Sequence, residues 1–236
     1  MNILVPALST VVALFFAAAV FDQYVARRRP YQLVWAFALL IFGLATSQEF
    51  LAEIGGWYEV GFKLWYLTGA ILVAAYLGTG TVYLLLPRST GHVVMVLLSL
   101  VSLYAIYRVV QVPIADSSLL TAVGQVRPQA MPQDVRLITA VFNIYGTIAL
   151  VGGALYSAWD FWRKGTFPHR VVSNVLIALG AIIVAASGSL ATLGNPSYLF
   201  IGELLGLVVI FIGFLRSQEV FGLYRLPFTQ GMGQVQ

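Results

Sequence analysis

The chain has no cysteine, which excludes disulfides, thiolate metal sites and thiol nucleophiles. It is also short of charge. Only 9% of its 236 residues are Asp, Glu, Lys or Arg, against about 25% in soluble domains, so a water-soluble core is excluded. Its two histidines, His92 and His169, fall at the ends of apolar runs. That position argues against haem ligation or a histidine zinc site within a bundle, and no metal or cofactor is expected. The stretch Leu199–Leu215 has no lysine to carry retinal. The thirteen basic residues are dispersed and form no nucleic-acid footprint. No nucleophile–base constellation assembles, and Gly78-Thr79-Gly80 lies inside an apolar run as a packing feature, not a phosphate loop. The expectation is a protein that is not an enzyme.

What is present is long apolar runs. Gly61–Arg88 carries no charge from Leu64 through Pro87, enough to cross the roughly 30 Å hydrocarbon core as one helix. Lys63, Tyr66, Gly69, Val73, Tyr76, Gly80 and Tyr83 recur along it at steps of three and four, on one helical face. Glycines there permit close helix approach, and a phenol at membrane depth seeks a hydrogen-bond partner. Gly69, Tyr76, Gly80 and Tyr83 are therefore expected to pack this helix centrally.

The whole chain reads as an all-α integral membrane domain, residues 1–221, with seven spans near 3–25, 31–53, 60–86, 92–112, 134–162, 170–193 and 198–221. The first run is a span and not a signal peptide, because its arginines follow it. Residues 222–236 form a short tail rich in glycine and glutamine, with no effector domain expected. Arg27, Arg28, Arg29, Arg88, Arg163, Lys164, Arg170, Arg216 and Arg225 fall on one side, against Lys63, Arg108, Arg127 and Arg136 on the other. The positive-inside rule then puts the N-terminus outside and the C-terminus in the cytoplasm of a bacterial inner membrane. Tyr31, Trp35, Trp57, Tyr58, Trp159 and Trp162 are placed as interfacial anchors. Pro113–Gln133 is the long outer loop; its Asp116–Gly124 segment is either a short interfacial helix or an irregular connection.

An internal echo runs through the chain. Asp22-Gln23-Tyr24 before Pro30 matches Asp160-Phe161-Trp162 before Pro168, at the same spacing. Leu51-Ala52 and Gly55 match Leu190-Ala191 and Gly194, and Tyr58 and Lys63 fall opposite Tyr198 and Glu203. This is the pattern of a 3+1+3 parallel repeat, with the fourth span as connector; shared membrane alphabets produce similar echoes by chance.

Ionisable groups within spans are functional candidates by default. Glu49, Glu53, Lys63, Arg108 and Glu203 all lie in the outer half, with Gln48, Gln111 and Asn143 at similar depth. Together with Tyr66 they suggest an outward pocket for a small polar or zwitterionic ligand. Glu49 and Glu203 would hold its cation, and Lys63 and Arg108 its anion. The competing reading is that these groups snorkel or form internal ion pairs.

Trp35, Glu49 and the run Lys63-Leu64-Trp65-Tyr66-Leu67-Thr68-Gly69 resemble the seven-helix sensory modules at the N-termini of some bacterial histidine kinases. The resemblance implies a free-standing sensor acting through a protein partner. It carries over no ligand-binding residue. Three readings follow: a sensor or receptor-like module, a small-solute transporter using the repeat interface, and a structural subunit of a membrane complex. Their partners are membrane lipid, a small polar ligand or another protein, and not nucleic acid.

Overall fold

The computed structural model describes residues 3–113, 131–192 and 197–217. The Asp116–Gly124 segment, Gly194, the 222–236 tail, Arg127 and Arg225 lie outside the described residues. Apart from short links, those described are helical, with no strand among them. Seven helices are long and apolar enough to cross a membrane: α1 (Leu4–Arg27), α2 (Pro30–Gly55), α3 (Glu59–Leu85), α4 (Arg88–Gln111), α5 (Gln133–Arg163), α6 (Pro168–Thr192) and α7 (Ser197–Arg216).

Local chemistry sets the boundaries. Pro30 opens α2 at a position where its missing N–H costs nothing, and Pro87 and Pro132 stand as N-caps of α4 and α5. Arg28 closes α1 in the left-handed region (φ 52°), its N–H bonded to the Tyr24 carbonyl at 2.7 Å. Gly56, at φ 78°, lets the chain turn from α2 into α3.

The packing forms a ring. Helix α1 lies on α2, α2 on α3, α3 on α5, α5 on α6, α6 on α7, and α7 returns to α1. Helix α4 stands outside this ring, against α3 and α5. Its buried residues are few and small, Gly91, Leu98, Ser102, Ala105 and Val109.

Helices α3 and α5 each contain a π turn, at Tyr66–Leu72 and Ile148–Gly152. A π turn inserts a residue and rotates the helical phase that follows. The Tyr66–Tyr83 stripe is accordingly shared among three neighbours. Tyr66 bonds Thr139 of α5, Gly69 abuts Ala45 of α2, and Tyr76 bonds Ser102 of α4 while its ring meets Phe37 of α2. Gly80 receives the Trp35 ring of α2, and Tyr83 bonds His92 of α4 at 2.9 Å. Between α3 and α5 the contact is backbone on backbone. A Cβ built on Gly78 would lie 2.9 Å from the Gly146 Cα, and one on Gly146 would overlap the Ala74 carbonyl.

Two expected anchors are placed differently. Trp57 is buried, and Trp35 is half-buried with its indole N–H on the Leu77 carbonyl at 3.0 Å. Both pack inside the bundle, while Tyr58, Trp159 and Trp162 are exposed.

Candidate functional site

Glu49 lies six residues before the end of α2, roughly 9 Å along the helix from Gly55. It is 1% exposed. Its Oε1 accepts the indole N–H of Trp65 at 2.7 Å. Its other carboxyl oxygen, Oε2, is buried and has no donor. Glu203 of α7 brings its carboxyl group within hydrogen-bonding reach of that of Glu49, and Glu203 Oε2 is likewise buried without a donor. Glu53, one turn beyond Glu49, is 6% exposed and places a further carboxyl beside it. Among the described residues none of these three carboxyls is paired with Lys, Arg or His.

An aromatic wall closes one side. Trp57, Phe62, Trp65 and Tyr66 pack ring to ring, with centroid separations between 5.4 and 6.1 Å. All four are buried. Buried indoles take a hydrogen-bond acceptor where they find one, and Glu49 is the acceptor for Trp65. Beside it, Gln48 accepts the Tyr58 hydroxyl at 3.0 Å.

No family model, no curated protein and no solved structure matches the chain. The site therefore has to be read from its own geometry.

That geometry joins some of the expected residues and separates others. Glu49, Glu203 and Tyr66 belong to one neighbourhood, Tyr66 through its ring contact with Trp65. Lys63 is already paired: its Nζ lies 2.7 Å from Glu59 and donates to the Val110 carbonyl at 3.2 Å. Arg108 is held in an ion pair with Asp134 of α5. Both cations thus form local pairs, the competing reading of the sequence, and neither is turned to Glu203. An anion would have to displace Glu59 or Asp134 to reach them. Glu49 and Glu203, expected to share one side of the pocket, come together, while Lys63 and Arg108, expected on the other, are each held by a carboxylate of the protein itself.

Below the carboxyls a polar ladder links α3 to α5. Thr139 donates to the Tyr66 hydroxyl at 3.1 Å, Asn143 donates to the Ala70 carbonyl at 2.7 Å, and Thr79 and Tyr145 share a bond at 2.9 Å. Sequence reasoning singled out Asn143 but not Thr139 or Tyr145, and read Thr79 only as part of a packing feature. It also passed over Trp65 as a partner, although a buried carboxyl in an apolar helix demands a donor and a nearby indole is a natural source. No group of three or more His, Cys, Asp or Glu side chains arranged to hold a metal ion occurs among the described residues.

Proposed function

We propose that this chain is a receptor-like module of a bacterial inner membrane that binds a small cation-bearing solute and acts through a protein partner. One observation carries the reading. The acceptor of the Trp65 indole is Glu49, and Trp65 stands immediately before the π turn of α3. A cation entering between Glu49 and Glu203 would draw both carboxyls toward itself and pull on Trp65. The π turn offers an element with alternative hydrogen-bond registers through which that pull becomes a shift of α3 against α5.

The proposed orientation has the Glu59 end outside. Arg27, Arg28, Arg29, Arg88, Arg163, Lys164, Arg170 and Arg216 cluster at the opposite end, as the positive-inside rule requires of a cytoplasmic face. The same reading takes up the 3+1+3 repeat. Rotating α1, α2 and α3 onto α5, α6 and α7 maps every contact of the six-helix ring onto another, and leaves α4 as the connector outside. The ligand carboxyls then sit where the two repeats meet.

Thermal melting of the purified protein with methylammonium and tetramethylammonium tests this reading. A ligand that binds only the folded state raises the Tm by mass action, and E203Q should abolish the rise. No shift with any amine would overturn it.

A second reading, a transporter, draws support from the polar ladder, which covers roughly 20 Å of α3 and straddles its midpoint. Transporters bind near the bilayer midplane. Uptake of labelled methylammonium into proteoliposomes would favour it over a receptor.

A further inference from the structure

Two carboxyl groups within hydrogen-bonding reach can bond only through a hydrogen, because ionised carboxylates are acceptors alone. Glu49 and Glu203 stand in that relation, each with one fully buried oxygen that no N–H or O–H reaches. Glu49 is 1% exposed, so water does not solvate its charge. Two like charges this close, one of them shut off from water, do not both persist.

We propose that Glu49 of α2 and Glu203 of α7 share a single proton and together form a proton-binding site. The charged and polar groups around the pair favour that occupant. On α2, Glu53 adds a further carboxyl and Gln48 is engaged by Tyr58. On α3, Trp65 satisfies one oxygen of Glu49, while Lys63 is taken by Glu59 and the Val110 carbonyl. Helix α1 before Asp22 and α6 after Arg170 contain no ionisable residue, and the Arg108–Asp134 pair joins α4 to α5. A proton is the one cation that fits without separating the carboxyls. The site stands whether or not a solute also binds there, and its test uses none.

Losing the proton would leave two acceptor-only carboxylates face to face, with nothing between them to bond.

Infrared spectra of the purified full chain at neutral pH, in ordinary and heavy water, test the assignment directly. Wild type should show the C=O stretch of a protonated carboxyl, shifted by deuterium. E49Q and E203Q should each lose it, since the new amide donates to the carboxylate left behind. Absence of the band in wild type would overturn the proposal, and needs no variant to be read. A band that survives both replacements would also overturn it, by assigning the proton to another residue.

Discussion

Asn143 of α5 donates its side-chain amide to the Ala70 carbonyl, 2.7 Å away inside the π turn of α3. Helices in a membrane must satisfy every backbone group internally, and an irregular turn is tolerated where a neighbouring helix supplies the missing partner. Asn143→Leu should leave the Ala70 carbonyl without its donor and cost about 1–2 kcal/mol, in the upper range for interhelical bonds in membranes. Hydrogen exchange across Tyr66–Leu72 should accelerate in the same variant, while exchange in α6 should not change.

Gly146 offers a sharper test of the α3–α5 contact. A methyl group there would overlap the Ala74 carbonyl, which is backbone and cannot rotate aside. Gly146→Ala should destabilise the bundle by about 1–3 kcal/mol, as overpacking does. Gly188→Ala is the control. A Cβ there meets nothing within 4 Å, so a gain of up to about 1 kcal/mol is expected from helix propensity alone. Both are read as thermal melts in one detergent.

Trp65→Phe keeps the ring in the aromatic wall and removes the N–H that satisfies Glu49 Oε1. A hydrogen bond to a charged or proton-sharing carboxyl is worth about 1.5–3 kcal/mol, so the variant should lose stability in that range. Its tryptophan fluorescence would change trivially, so stability should be followed by circular dichroism.

The seven apolar runs were legible because crossing a bilayer demands length and hydrophobicity, and both are local properties of sequence. The ring with α4 outside was not, since nothing local says which helices touch. The Tyr66–Tyr83 stripe shows why. A constant period of 3.6 was the natural assumption, and the π turn at Tyr66–Leu72 breaks it, so Tyr66 and Tyr76 face different neighbours. Trp57 looked like an interfacial anchor from its place next to a loop, but its ring packs against Phe62 and Trp65 from the short link of residues 56–58. In the site, Glu49 and Glu203 were both legible as costly intramembrane carboxylates. Their convergence on one place was expected too, but a direct carboxyl–carboxyl contact was not, and neither was the pairing of Lys63 with Glu59, an i,i+4 neighbour that satisfies the lysine locally.

Equilibrium binding of methylammonium by the wild-type protein, E49Q, E203Q and Lys63→Met tests the central claim most directly. The account predicts saturable binding in wild type and a loss of at least tenfold in affinity in E49Q and in E203Q. Lys63→Met should bind like wild type, because Lys63 is held by Glu59 and the Val110 carbonyl and takes no part. Absence of binding by the folded wild-type protein, or binding untouched by both carboxyl replacements, would contradict it.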